Sequence, residues 1–179
     1  KALAITSERK IAMFKYERDD YDCSEACSEK IAYEIAKVLN YDCARIELAY
    51  DGNNKIGVLN YYFADRLVTT HTDIVAYLNK NTKDRNQYYT ISNIKSVLDD
   101  IDKNLFKGFV RIMIFDALIG EQDRHEENWG IIEKDGKSSI SPLYDNGDSL
   151  LREFRNIENA QKYYDGVKLE VGEGNNIKT

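Results

Sequence analysis

The sequence predicts an α+β fold with two lobes: a small β-rich lobe over residues 1–65 and a mostly helical lobe over residues 66–179. Two patterns lead to this prediction. Several short runs in the first 65 residues alternate apolar with polar side chains, which is typical of strands with one buried face. After residue 66 the apolar residues recur at helical spacing, and no strand is predicted before a hairpin over residues 129–145. A cleft between the lobes would be the place for a ligand.

Four strands and one helix are predicted in the N-terminal lobe. The strands cover residues 2–5, 11–16, 44–50 and 55–63. Between the second and third strands, the apolar side chains of residues 25–39 recur at the spacing of a helix that packs on the sheet. Asp22 or Ser24 would cap the start of this helix, and Asn40 would end it.

In the C-terminal lobe, helices are predicted over residues 73–78, 91–101 and 105–119. The hairpin turn falls at Asp135-Gly136, a dipeptide that favours a tight turn between two antiparallel strands. Pro142 follows, where an edge or loop position would tolerate a residue without an N–H group. Beyond residue 148 the pattern weakens. Residues 156–164 are predicted to be helical, and residues 172–176 a flexible tail.

The composition describes an ordinary globular protein without a strongly basic surface. The chain has 179 residues, 42% of them apolar and 31% charged, and is long enough to bury a sizeable core. Its net charge of -6 argues against general binding to nucleic acid or to membrane surfaces. No apolar run approaches the roughly 20 residues that span a bilayer, and no secretory signal is found. Three cysteines make no disulfide framework, so we expect reduced thiols in a cytoplasmic protein.

The strongest functional signal comes from two polar segments, DRHEEN at residues 123–128 and LYDNG at residues 143–147. A carboxylate, a carboxamide a few residues later and a second carboxylate after a hairpin form the polar set that kinase-type phosphoryl transfer requires. Asp123 would orient the attacking hydroxyl group. Asn128 and Asp145 would hold magnesium, which prefers oxygen ligands of this kind. The sequence therefore predicts an ATP- and magnesium-dependent site.

Three further residues complete the predicted catalytic machinery. His125 is assigned an orienting role, in which it hydrogen-bonds the catalytic loop instead of exchanging protons. Lys15 lies at the end of an apolar strand, where an inward side chain would reach the nucleotide. Glu29, on the following helix, could form the ion pair that aligns this lysine. Glu25 shares a helix face with Glu29 and is an alternative, whereas Glu34 is turned away.

The two polar segments resemble those of a known family. The strings LIGEQDRHEENWGII and ISPLYDNGDSL are similar to the catalytic and metal-binding segments of HipA-like serine/threonine kinases. The resemblance runs over roughly residues 1–150. Outside the two strings it is looser and rests on the order of the elements around Lys15 and Glu29. It implies a protein-kinase-like fold that transfers the γ-phosphoryl group of ATP to a serine or threonine hydroxyl of a protein.

The resemblance also implies a role for each matched residue. Asp123 would be the base that accepts the proton of the substrate hydroxyl. Asn128 and Asp145 would bind magnesium. Lys15 would contact the α- and β-phosphates, and Glu29 would hold this lysine.

The strand that links the two lobes, residues 59–63, would offer backbone groups to adenine. Tyr62 or Phe63 would border the base. The predicted cofactor-binding residues of this strand are Asn60, Tyr61, Tyr62 and Phe63.

Two departures from the family pattern keep alternatives open. Family members carry a Gly/Ser-rich phosphate loop just before the segment that Lys1-Ala2 matches, and no such loop is seen here. Many relatives have lysine at the position of Glu127. Phosphatidylinositol kinases share a similar D-R-H-x-x-N loop, so a lipid or small-molecule kinase is one alternative and a nucleotide-binding pseudokinase is another. The resemblance further implies a toxin-like role with an antitoxin partner.

Overall fold

The computed structural model describes residues 1–6, 8–17, 24–64, 69–78, 84–150, 152, 158 and 161, and it shows a mixed α/β fold. The first sheet consists of β1 (Ala2–Ile5), β2 (Ile11–Tyr16), β3 (Ile46–Tyr50) and β4 (Ile56–Tyr61). The second sheet consists of β5 (Thr69–Asp73), β6 (Gly130–Lys134) and β7 (Lys137–Ile140). The α-helices are α1 (Ser24–Val38), α2 (Arg85–Tyr88), α3 (Ile91–Ile101) and α4 (Leu105–Ile119).

The first sheet is antiparallel in the order β1-β2-β4-β3, and α1 packs on one of its faces. Val58 and Ile46 point to this face and form a buried apolar cluster with Ala26 of α1. Lys15 pairs with Val58, and Asn60 pairs with Ile46. Because residues directly opposite each other point to the same side of a sheet, Lys15 and Asn60 are both directed toward α1.

Helix α1 ends at the predicted place. Asn40 has a φ of 56°, the left-handed conformation that stops a helix, and the N–H of Tyr41 bonds back to the carbonyl of Ala36 at 2.8 Å. The predicted caps, Asp22 and the side chain of Ser24, lie outside the described residues. So do the predicted helix and tail near the C-terminus, apart from residues 158 and 161.

The second sheet, in the order β5-β6-β7, contains a strand that the sequence analysis missed. The predicted helix over residues 73–78 is wrong, and so is the absence of a strand before the hairpin. Thr69–Asp73 forms β5, and only a 3₁₀ turn over Ile74–Ala76 follows it. Ile74 and Leu78 are both buried, and their spacing imitates a helix. The β-branched threonines before them favour an extended chain, and pairing with β6 determines the outcome.

Strands β6 and β7 form the predicted hairpin. Asp135 and Gly136 have φ values of 51° and 72°, which a two-residue turn of type I′ requires. The hairpin begins just after Asn128 and ends shortly before Asp145. It therefore determines how far apart the DRHEEN and LYDNG segments can lie.

The main apolar core joins α1 to α3, α4 and the second sheet. Trp129, at the entrance to β6, is buried and stacks on Phe109 of α4 with ring centroids 4.6 Å apart. Its indole N–H donates to the hydroxyl of Tyr89 at 2.8 Å. The residue before the hairpin is thus fixed by both packing and a hydrogen bond. Within the ranges given above, none of the helices has the length and apolar character to traverse a membrane.

We predict that Gly130→Ala destabilises the protein. A Cβ atom at this position would lie 2.2 Å from the carbonyl oxygen of Thr72 and 2.9 Å from the Cα of Asp73, so β5 would have to shift. Overpacking of this kind costs about 2 kcal/mol or more, which corresponds to a fall in Tm of about 5 °C in a chain of this size. Differential scanning calorimetry measures the change. Gly52→Ala is the matched control, because nothing lies within 4 Å of the added atom. Equal Tm values for the two variants would contradict the close approach of β5 and β6.

Candidate active site

Lys15 lies at the centre of a buried cluster of polar side chains. Its Nζ atom is 3.2 Å from Oε1 and 3.3 Å from Oε2 of Glu29, and it also bonds to Oδ1 of Asp145. Asn60 donates its side-chain amide to Oε1 of the same glutamate at 3.1 Å. Glu29 is fully buried and Lys15 is nearly so. The fold thus brings together residues from β2, α1, β4 and the segment after β7.

The charges of this cluster shift the pKa of each ionisable member. Burial works against the charge of Lys15, but the Glu29 and Asp145 carboxylates outweigh it and raise the pKa of the lysine. Burial raises the pKa of Glu29 to about 7, although Lys15 opposes the shift. Burial also disfavours the charge of Asp145, yet the Lys15 ammonium group holds the pKa of this carboxyl below its usual value. A second ammonium group, that of Lys1, lies 4.0 Å from Oδ2 of Asp145, so two ammonium groups face two carboxyl groups in this cluster.

Asp145 is held in a backbone conformation that few residues other than glycine adopt. Its φ is 55°, in the left-handed region, a type of strain that recurs at functional sites. Earlier in the same segment, the N–H of Leu143 bonds to the carbonyl of Asp42, beyond α1, at 2.9 Å. Gly147 lies so close to α1 that a Cβ atom there would be 2.7 Å from the Cγ of Glu25. These contacts hold the LYDNG segment against α1 and direct Asp145 to Lys15.

Arg124 ties the DRHEEN and LYDNG segments together. Its guanidinium group pairs with Asp116 of α4, with 2.9 Å between Nη2 and Oδ1 and 3.0 Å between Nε and Oδ2. Nη1 donates to the carbonyls of Asn128 at 2.9 Å and Tyr144 at 2.7 Å, and Nη2 donates to Oδ1 of Asn146. Because one nitrogen bonds to both carbonyl oxygens, these oxygens lie within ~6 Å of each other. Asn128 and the residue before Asp145 are therefore neighbours.

This role of Arg124 was not predicted from the sequence, although a signal was present. Asp116 is spaced from Ile112 and Ile119 so that it shares their face of α4, and all three side chains are buried. A carboxylate on an apolar helix face requires a cation or strong donors. The nearest arginine in the following loop was the candidate partner.

The DRHEEN loop presents the predicted catalytic base to solvent. The side chain of Asp123 is 58% exposed, and the N–H of this residue donates to Oε1 of Glu121 at 2.9 Å. Asn128 donates through Nδ2 to the carbonyl of Asp123 at 3.1 Å, which makes its Oδ1 the end of the amide that can accept a cation. Nε2 of His125 is 4.0 Å from Oδ2 of Asp123. Nδ1 of the same histidine accepts the N–H of Glu127 at 3.2 Å. The loop is thus held by its own hydrogen bonds, and the Asp123 carboxylate remains accessible.

A second set of contacts anchors the same loop from α2. Glu126 is buried and accepts hydrogen bonds from Nε of Arg85 and from the hydroxyl of Tyr88, both at 2.7 Å. The hydroxyl of Tyr89 donates to the carbonyl of Arg124 at 3.1 Å. Glu127, where the sequence departs from the family pattern, is exposed. Its charge is therefore open to solvent.

A cavity of about 500 Å³ opens beside Lys15 and Asp145. Residues 60–64 line one side, and residues of β5 line another. Asp123 and Asn128, although both are described, lie outside its lining. The cavity therefore adjoins one end of the charged cluster, and the DRHEEN loop borders a different part of the site.

The predicted linker residues line this cavity, but the N–H groups of two of them are already bonded within the sheet. The N–H of Tyr61 donates to the carbonyl of Arg45 at 3.0 Å, and the N–H of Tyr62 donates to that of Ile11 at 3.2 Å. The hydroxyl of Tyr61 donates to Glu47 at 2.7 Å. The backbone N–H groups that meet a base would therefore belong to the linker residues after Tyr62.

Three aromatic rings form one wall of the cavity. Phe63, His71 and Tyr144 lie with their ring centroids 5.1 to 5.6 Å apart. The hydroxyl of Tyr144 donates to Oδ1 of Asp73 at 3.1 Å. Burial raises the pKa of Tyr144, and burial lowers that of His71, so both side chains are held neutral. Only Phe63 was selected from the sequence. His71 and Asp73 were missed because β5 was not predicted.

Asp145 and Asn128 have the donor chemistry that magnesium requires. A carboxylate and an amide oxygen are hard ligands, and protein sites for this ion usually add only one or two such groups to nucleotide phosphates and water. Arg124 brings the two segments together through the carbonyls of Asn128 and Tyr144. The residues present therefore fit the ion, with Asp145 and Asn128 as the side chains that would hold it.

Comparison with known proteins identifies the class of fold first. The crystal structure of a Helicobacter pylori proinflammatory kinase, CtkA, matches this chain with a TM-score of 0.75 at 20% sequence identity. The match covers 99% of this chain and 65% of that one, so the present chain spans about two thirds of its length. At this identity the likeness shows that the two proteins share a fold.

A family model then makes the assignment specific. The model of the HipA-like C-terminal domain matches residues 1–176. This chain belongs to that family, which confirms the resemblance found in the sequence. A search of curated proteins finds no match.

We predict that Arg124→Lys destabilises the protein by about 3 kcal/mol, because a single ammonium group cannot satisfy the Asp116 carboxylate and both backbone carbonyls at once. Urea unfolding followed by circular dichroism measures the loss. Arg45→Lys is the control, since its ion pair with Glu47 is exposed and should contribute little. If both variants unfold at the same urea concentration, Arg124 does not hold the two segments.

Proposed function

We propose that this chain is the core of an ATP- and magnesium-dependent protein kinase that phosphorylates serine or threonine. The observation that carries the proposal is the Lys15 ammonium group, held between Glu29 and Asp145 at the edge of the cavity. This lysine–glutamate pair beside an aspartate is the arrangement that positions nucleotide phosphates in protein kinases. In this proposal the first sheet and α1 form the N-terminal lobe, and the second sheet with α2 to α4 forms the catalytic lobe.

The nucleotide would occupy the cavity with its base against the aromatic wall. The flat rings of Phe63 and Tyr144 suit stacking on a base, and the backbone of Phe63 and Ala64, which also line the cavity, would meet its polar edge. The phosphates would extend toward Lys15. Magnesium, when bound, would neutralise the charge of the phosphates, held by Asp145 and Asn128.

Transfer would require a hydroxyl group to approach Asp123 from solvent. The exposed carboxylate would orient the hydroxyl and accept its proton as the new oxygen–phosphorus bond forms and the bond to ADP breaks. His125, close to the same carboxylate, would orient it. The rate would come mainly from positioning and from stabilisation of charge, because the protein forms no covalent bond with substrate.

The protein acceptor is proposed from family membership, and so are a cytoplasmic location and an antitoxin partner. A lipid or small-molecule acceptor is the alternative that the D-R-H-x-x-N loop suggests. A radiolabelled-ATP assay that offers casein, phosphoinositide vesicles and small alcohols separates these classes. Binding of ATP without transfer to any of them would select a pseudokinase.

We expect Asp123→Asn to lower the rate of phosphoryl transfer by about 100-fold or more, because the amide cannot accept the hydroxyl proton. ATP affinity should change less than twofold and Tm should not change, since the side chain is exposed. Steady-state kinetics and calorimetry measure these quantities. Glu127→Gln removes a charge from an exposed residue of the same loop and should retain activity. Undiminished turnover by the Asp123 variant would refute the assigned role.

Asp145→Ala should abolish the magnesium dependence of ATP binding. The variant lacks the carboxylate that would hold the ion. Lys15 loses one of its two anionic partners and can still attract phosphates. Titration calorimetry with and without magnesium chloride should show equal affinities for the variant and unequal ones for the wild type. Asp100→Ala, at an exposed position of α3, is the control. A magnesium effect of wild-type size in the Asp145 variant would exclude this residue as a ligand.

A further inference from the structure

We propose that Asn60 is a positioning residue, which holds Glu29 in the orientation that keeps Lys15 at the phosphate end of the cavity. The effect of Asn60 on nucleotide binding rests on the proposed kinase function, whereas its contact with Glu29 rests on geometry alone. From the sequence, Asn60 is predicted to belong to the segment that meets adenine. Its side chain instead points at the carboxylate of Glu29.

The strand register explains this direction. Asn60 lies opposite Met13 of β2 and opposite Ile46 of β3, in a strand with neighbours on both sides. Opposite residues share a face, so its amide is directed toward α1, on the face that also carries Lys15 and Val58. The amide is half-buried at the cavity and donates to the carboxylate of Glu29.

The two oxygens of Glu29 show what the amide adds. Oε1 accepts from both Lys15 and Asn60, and Oε2 accepts from Lys15. With Lys15 as its only partner, the carboxylate of Glu29 could rotate, because an ammonium group imposes no fixed direction on the hydrogen bonds that it donates. Asn60 approaches from β4 and fixes the second direction, so the plane of the carboxylate is determined.

A neutral donor suits this task better than a second cation. Glu29 is fully buried, and burial opposes its charge. An amide N–H stabilises the ionised carboxylate without competing with Lys15 for it. A cation at the same position would neutralise Glu29 and weaken its hold on the lysine. Asp145 also bonds to Lys15, so a loosened Glu29 would leave the lysine paired with Asp145 and less available to the phosphates.

The contact is tested first without nucleotide, by the side-chain amide signal of Asn60 in an ¹⁵N–¹H NMR spectrum. Glu29→Gln should shift this signal, because the charged acceptor is lost. Glu34→Gln, on the exposed side of the same helix, should leave it in place. An Asn60 signal that is unmoved by Glu29→Gln would overturn the proposal whether or not the protein binds ATP.

The consequence is tested by a double-mutant cycle on the dissociation constant of ATP. Asn60→Leu keeps the size of the side chain and removes the donor, and it should weaken binding about tenfold in the wild-type background. In the Glu29→Gln background the same change should have less than a twofold effect, because no carboxylate remains to be held. Asn60→Asp, which has the same shape and would repel Glu29, should weaken binding at least as much.

The outcomes separate this proposal from a purely structural role and from failure of the kinase proposal. Equal losses in both backgrounds would make Asn60 a packing residue and overturn the inference. Absence of ATP binding by the wild-type protein would refute the proposed function, while the NMR result would still decide the contact. Tm values of the Asn60 variants show that each remains folded.

Discussion

The buried ion pair between Arg124 and Asp116 is the constraint on which the candidate site depends. A guanidinium group has five N–H donors in one plane, and here they reach α4, the DRHEEN loop and the LYDNG segment together. Removing such a charge from water is unfavourable unless every donor finds a partner. Those partners include the backbone carbonyls of Asn128 and Tyr144, so satisfying the arginine forces the two segments into contact. The hairpin determines how many residues separate the two segments in the chain, and Arg124 determines how close they lie in space.

The Lys15 cluster adds a connection to the first sheet. Lys15 belongs to β2, Glu29 to α1 and Asp145 to the segment that Arg124 holds, so the cluster links the sheet to the loop region through charge. Both groups of contacts use buried charges with several partners each, and neither is a simple surface ion pair. The two groups differ in accessibility. The donors of Arg124 are all engaged, whereas Asp145 lines the cavity and its side chain is 29% exposed. This carboxylate lies where a metal ion and phosphates would enter.

The residues that could be predicted from sequence are those whose chemistry is local. DRHEEN and LYDNG carry their own donor sets, the hairpin turn is encoded by Asp135-Gly136, and helical spacing placed Glu29 on a possible lysine-facing side of α1. The features that could not be predicted depend on residues far away in the chain. β5 exists because β6 pairs with it, and the direction of the Asn60 side chain follows from its register against β2 and β3. Helical periodicity alone could not reveal either.

The contact between Lys15 and Asp145 has a consequence for the order of binding. The Asp145 carboxylate that would hold magnesium is bonded to the ammonium group of Lys15. A metal ion arriving alone would have to displace this partner and leave Lys15 buried with Glu29 only. Phosphates that arrived with the ion would provide Lys15 with a new anionic partner, so that the loss of one ion pair would be offset by another. In the proposed kinase the two ligands would therefore bind more tightly together than separately, and by linkage each would raise the affinity for the other to the same extent.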